Sequence, residues 1–165
     1  MTRSMATAAL LLAVTFSSVA TAGVGKGQRA PEFTLASLKG PQVSLSALRG
    51  KVVLIDFWAQ WCEPCKKELP QLEKLAREYA GKGVVIVAVN IDKQRENAER
   101  MAKQLGLTMD VLLDPAGSVA SSYDLPKMPT SFVVDKKGIV RYVNEGFDGP
   151  KDVERFKQEL DELTK

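Results

Sequence analysis

Two short apolar runs, Lys51–Trp58 (KVVLIDFW) and Val84–Ile91 (VVIVAVNI), constrain the fold of this chain more than any other feature. Neither alternates between polar and apolar residues, so each reads as a strand buried on both faces, as in a parallel sheet. Between them the spacing predicts a helix over Glu63–Ala80, because Cys65, Leu69, Leu72, Ala76 and Tyr79 recur at intervals of three and four and so share one face. Gly81 and Gly83 stop it. Strand, helix and parallel strand form one βαβ unit.

The remaining elements arrange themselves around that unit. Glu32–Leu48 carries short apolar pieces and the turn signal Gly40-Pro41, and reads as a small hairpin followed by a helical turn. A second helix is expected over Gln94–Leu105, with Ala98, Met101, Ala102 and Leu105 on one face, then a short strand at Val111–Leu113. Thr130–Asp135 and Ile139–Asn144 read as strands joined by the turn Lys136-Lys137-Gly138. A last helix over Lys151–Leu163 would bury Val153, Phe156, Leu160 and Leu163. The sum is an α/β sandwich built on a mixed sheet.

The first residues read as an address. Arg3 is the one charge before Ala22, an apolar run spans Met5–Phe16, and small residues end in Ala20-Thr21-Ala22. This is the pattern of a secretory signal with an A-x-A cleavage site, and the run is shorter than the roughly 18 residues that span a bilayer. An uncleaved membrane anchor is the alternative. The division is then a signal peptide over 1–22, a polar, Gly-rich lead-in over 23–30, and one domain over 31–165. Cleavage leaves 22 Lys and Arg against 20 Asp and Glu, too balanced for the clustered basic face that nucleic acid requires.

Two counts narrow the chemistry further. The chain has no histidine, which removes His-based triads and metal sites built on imidazole. Its two cysteines, Cys62 and Cys65, have two residues between them and are too few for a four-ligand structural zinc site or a multi-disulfide framework. They follow one buried strand and open the predicted helix. Cys62 would therefore lie where free N–H groups and the helix dipole favour an anion. The thiolate is the nucleophile of thiol–disulfide exchange, so this placement activates Cys62. Cys65, one turn on, can resolve the mixed disulfide that Cys62 forms. Pro64 sits in the first turn, where a missing N–H costs little. A structural bridge over so short a loop would contribute about 2 kcal/mol, and a Cu(I) carrier using two soft thiolates is a further alternative. A redox pair is the preferred reading.

Asp56-Phe57-Trp58-Ala59-Gln60-Trp61-Cys62-Glu63-Pro64-Cys65-Lys66 resembles the thioredoxin active-site segment. Pro70 matches that family's kink proline inside the helix, and Met128-Pro129-Thr130 resembles the loop whose proline is cis. The wider pattern is similar to secreted TlpA/ResA-type thioredoxin-like reductases: Ala30-Pro31-Glu32-Phe33, Ser44-Leu45 and Leu48-Arg49-Gly50-Lys51 precede Trp61-Cys62-Glu63-Pro64-Cys65, and an extra helix and strand lie between Gln94 and Leu113. The resemblance implies a thioredoxin fold with an N-terminal β-hairpin extension and a helix–strand insertion. It implies Cys62 as attacking and Cys65 as resolving thiol. Pro129 would hold the substrate backbone against Cys62, with Met128 and Thr130 beside it, and Trp61 would shape the surface next to the sulfur. It needs no cofactor beyond the Cys62–Cys65 redox couple and no metal.

Two carboxylates need their own arguments. Asp56 interrupts an apolar strand, where a charge is costly unless paired. It would hold its proton tightly, which suits a proton shuttle for Cys65; a carboxylate satisfied by buried water is the alternative. It matches the buried aspartate of thioredoxin, but Ala88 stands where that family has a lysine partner. Glu68 lies at the edge of the predicted buried stripe and matches the active-site glutamate of ResA-type proteins; a solvated helix charge is the alternative. Negative charge at Glu63, Asp56 and Glu68 opposes the helix dipole, and a less stabilised thiolate makes a better reductant. The expected activity is reduction of disulfides in client proteins outside the cytosol, such as apocytochromes or copper-site proteins, with re-reduction by a membrane electron donor and no need for a dimer. A disulfide oxidase or isomerase is the other enzymatic reading. Peroxiredoxins share a similar opening, but Ala59 stands where their Thr-x-x-Cys has threonine.

Overall fold

The computed structural model describes residues 23–165, and the expected signal peptide falls outside them. The strands are β1 (Thr34–Ser37), β2 (Gly40–Ser44), β3 (Val52–Trp58), β4 (Val84–Asn90), β5 (Asp110–Leu113), β6 (Thr130–Val134) and β7 (Val140–Glu145). The helices are α1 (Glu63–Glu78), α2 (Arg95–Gln104), α3 (Ser118–Tyr123) and α4 (Pro150–Thr164), and a 3₁₀ turn covers Ser46–Leu48. All seven strands join one sheet in the order β2-β1-β5-β4-β3-β6-β7.

The two apolar runs are the centre of this sheet, as their composition requires. β3 pairs parallel with β4, which pairs parallel with β5, while β6 joins β3 antiparallel and β7 joins β6 antiparallel. Every residue of β3 is buried. Its side chains alternate between two cores. Val52, Leu54 and Trp58 pack with Cys65, Leu69 and Leu72 of α1, Ala98 and Met101 of α2, and Phe156 and Leu160 of α4. Val53, Ile55 and Phe57 pack on the other face with Leu45, Val119 and Tyr123. The rings of Phe57, Tyr123 and Phe132 lie 4.9–6.0 Å apart in tilted and edge-on arrangements, the geometry that ring quadrupoles favour.

The hairpin extension (β1–β2) and the inserted α2–β5 segment are both present; β1 closes onto β5 antiparallel. Helix α3 has no counterpart among the elements expected from the sequence. It is short, enters through Gly117 in the left-handed region, and is fixed by Asp114, whose carboxylate accepts from the N–H groups of Ser118 and Ala120.

Candidate active site

The parallel direction of β3, β4 and β5 sends their C-terminal ends to one edge of the sheet, and the CxxC segment emerges there from β3. Cys62 is the N-cap of α1, with Glu63 and Pro64 in the first turn. The two sulfurs are bonded to each other, 2.02 Å apart, and the Cys65 N–H donates to Cys62 Sγ at 3.3 Å. A helix N-terminus thus offers an N–H to the sulfur that the sequence assigns as attacker. Cys62 is 4% exposed and Cys65 is fully buried, so a partner reaches the pair at Cys62. Glu63 is exposed and pairs with Lys66. Trp61, 63% exposed, is the one large hydrophobic side chain left open to solvent among the described residues.

The antiparallel hairpin β6–β7 brings a second loop to the same edge. Thr130 pairs with Phe57 and Glu145 pairs with Thr130, so the residues just before β6 lie beside the end of β3. The Met128–Pro129 peptide bond is cis, as the resemblance implies. The Gly146 N–H donates to the Pro129 carbonyl at 2.8 Å and ties the loop after β7 to it. Thr130 is fully buried and its hydroxyl donates to the Lys127 carbonyl. Its side chain therefore braces the loop, and only its backbone is left to line a site. Met128 packs against both cores.

Asp56 lies on the face of β3 that packs against α1 and α4, fully buried, with neither carboxylate oxygen hydrogen-bonded. Burial, and then the charge of Glu68, push its carboxyl well above the usual range. Glu68 lies inside the buried stripe and not at its edge. It is 1% exposed with Oε2 unpartnered, because the turn after Cys65 is enclosed by α4, which the periodicity of α1 alone does not reveal. Burial, then the charge of Asp152, opposed by Arg155, push it up to about 8. Two carboxyls buried on the same side of the sheet, one raising the proton affinity of the other, resist ionising together at neutral pH. Glu68 lies one helical turn after Cys65, and Asp56 lies on β3 on the same side of the sheet.

One part of the site was missed at the sequence level. Asp92, 7% exposed after β4, accepts from the Gln60 N–H and from Asn90 Nδ2, each at 2.8 Å. It pins the loop that carries Trp61. The signal was Asn90-Ile91-Asp92, two polar residues closing an apolar run, which reads equally well as the start of a loop. Among the described residues no cluster of three or more Cys, Asp or Glu could hold a metal ion, and no helix is long and apolar enough to cross a membrane.

Residues 26–143 match the AhpC/TSA family. A thiol-disulfide oxidoreductase ResA of Geobacillus kaustophilus is 36% identical over 137 residues, covering 83% of this chain and 79% of that protein. The thioredoxin-like protein YneN of Bacillus subtilis is 38% identical over 142 residues, covering 84% and 82%. A crystal structure described as a thiol:disulfide interchange protein DsbE, from Chlorobium tepidum, superposes with a TM-score of 0.82 at 36% identity, covering 87% of this chain and all of that one.

Proposed function

The chain belongs to the AhpC/TSA family and is a thiol–disulfide oxidoreductase of thioredoxin fold, and from that premise we propose that it reduces disulfides in client proteins outside the cytosol. In the dithiol form the Cys62 thiolate attacks a client disulfide. An S–S bond forms between Cys62 and one client sulfur, and the other client sulfur leaves as a thiolate. The Cys65 thiol gives its proton to Asp56, and its thiolate attacks Cys62 Sγ. The Cys62–Cys65 bond forms, the client bond breaks, Asp56 returns its proton to the departing client sulfur, and the client's other thiolate takes its proton from solvent, so that the client leaves as a dithiol. Two electrons have passed to the client. A membrane dithiol donor then restores the pair by the same exchange in reverse.

The observation that carries the reducing direction is the setting of the two sulfurs. They lie in an apolar cluster, and two carboxyls are buried on the same side of the sheet, Glu68 one turn after Cys65 and Asp56 on β3, with Ala88 beside Asp56 on β4. A strong oxidant owes its power to a stabilised thiolate in the reduced state. Here a sulfur must take negative charge in an apolar, carboxyl-lined site with only the helix N-terminus in its favour, so the disulfide is the preferred state and electrons leave readily. Export is supported by the apolar run Met5–Phe16 and the Ala20-Thr21-Ala22 site. Client docking is assigned to Trp61, Met128 and Pro129, around the one exposed side of Cys62. Apocytochromes and copper-site proteins awaiting haem or metal are the favoured clients, and the protein acts as a monomer.

The test is the reduction potential of the Cys62–Cys65 pair, measured by equilibration with a dithiothreitol or glutathione series. A value near that of thioredoxin, about −270 mV, is expected; one near −120 mV, typical of a strong oxidant, would overturn the reducing direction.

A further inference from the structure

Ala88 leaves Asp56 without the partner that β4 supplies in thioredoxins, and the other flank of Asp56 offers a replacement. Asp56 pairs directly with Ser131 across β3 and β6. Side chains paired in this way point to the same face with Cβ atoms about 5 Å apart. Ser131 is 1% exposed, and its Oγ, like both oxygens of Asp56, has no hydrogen-bond partner. Buried polar groups are almost always partnered, so two orphans side by side on an apolar face call for a common explanation. A serine hydroxyl moves between staggered rotamers by rotation about one bond, and it both donates and accepts.

We propose that Ser131 is the positioning residue of Asp56: its hydroxyl donates to the ionised carboxylate and accepts from the protonated acid. The aspartate can then take up and release the Cys65 proton without leaving a buried charge unpartnered. The inference rests on the reading of Asp56 as the base for Cys65. The other groups facing this side of the sheet are Glu68 and Cys65 from α1 and Asp152, Arg155 and Glu159 from α4; β4 contributes Ala88 and β7 contributes Asn144. Asn144 is occupied, since its Nδ2 donates to Glu159 at 2.8 Å. Arg155 pairs with Asp152 at 2.7 Å through Nη2, while its Nε, Trp58 Nε1 and Glu68 Oε2 are buried without a partner, but none of them is paired with Asp56 across strands as Ser131 is. Ser131 is the hydroxyl in the row that is free to turn to Asp56.

Ser131→Thr and Ser131→Val test this as a pair, because the two side chains have the same shape and differ in the hydroxyl. Any cost of adding a branch in β6 is common to both. In the reduced protein, the titration of the Asp56 carboxyl carbon followed by NMR should move up by about one pH unit in the Val variant relative to the Thr variant. Stopped-flow resolution of a preformed Cys62 mixed disulfide, below that midpoint, should slow about tenfold in the Val variant and return towards the parent rate in the Thr variant. Equal midpoints and equal rates in the two variants would overturn the role of Ser131. Asp56→Asn separates the two levels. If it abolishes the pH-dependent phase of resolution while Thr and Val behave alike, the base reading stands and the Ser131 inference falls. If it leaves that phase intact, the base reading falls, and the part of Ser131 in the reaction falls with it.

Discussion

Replacing Glu68 by glutamine is expected to stabilise the disulfide form, by an amount that grows with pH. The folded protein raises this carboxyl from its ordinary 4.5 to about 8. Below pH 4.5 the folded and unfolded chains both hold the proton, so the group contributes nothing. Between 4.5 and 8 the unfolded chain releases the proton and the folded chain keeps it, so stability falls as pH rises, by about 1.4 kcal/mol per unit. At pH 7 the accumulated loss is about 3 kcal/mol. Glutamine has the same shape, is neutral throughout and escapes that loss. Urea unfolding at pH 4, 5, 6 and 7 with the disulfide intact gives the difference directly, provided the denaturant slopes agree. The midpoints should nearly coincide at pH 4 and separate steadily, to a difference in unfolding free energy of about 3 kcal/mol at pH 7. A gap that stays flat from pH 4 to 7, or a variant that grows less stable with rising pH, would refute the account of Glu68 as a buried, proton-holding acid.

Three further outcomes follow from the same geometry. Cys65→Ala should accumulate a covalent adduct between Cys62 and a disulfide-bearing client, visible by non-reducing electrophoresis and intact mass, whereas Cys62→Ala should accumulate none. Trp61→Ala should raise the client KM about tenfold, the cost of losing an aromatic anchor. Its kcat should be unchanged and its stability within about 0.5 kcal/mol, because the side chain is largely in solvent. Glu73→Ala should cost about 3 kcal/mol at neutral pH by freeing the N–H groups of Thr108 and Met109, which its carboxylate holds at 2.6 and 2.9 Å. Burial pushes that carboxyl up, but the bonds from Thr108, Met109 and Arg77 outweigh it and hold it below its ordinary value. Its contribution is therefore present above pH 4.5 and lost as pH falls through the depressed value, so acid unfolding should show the gap closing.

The sheet centre and the redox pair were legible because their signals are local and dense. Val52–Trp58 and Val84–Asn90 are apolar at almost every position, and a CxxC between such a strand and an amphipathic helix has few structural meanings. Helix α3 was not legible. Only Val119 and Tyr123 of its six residues are buried, too few turns for a period to emerge. Glu68 was found as a candidate but misplaced at an edge, since its enclosure depends on α4, more than eighty residues away in sequence. The anchoring of Gln60 by Asp92 and the pairing of Asp56 with Ser131 are both products of register between strands. A one-residue slip would reverse the facing of each, and no spacing within a single segment encodes it.

The distribution of satisfied and unsatisfied groups along α1 explains how the fold tolerates a costly site. The C-terminal half of the helix is tied down. Glu73 holds the loop before β5, the Tyr79 hydroxyl donates to Asp161 at 2.7 Å, and Glu78 pairs with Lys157 at 2.8 Å. These contacts fix α1 against the insertion and against α4. The N-terminal half carries the opposite character: Cys65, Glu68 and, beneath them, Asp56, with buried oxygens that have no partner. Such groups would relax by tilting the helix outward to admit water if its far end were loose. Because that end is fixed on two sides, the carboxyls stay enclosed and their proton affinity stays raised, maintained by contacts at the far end of the same helix.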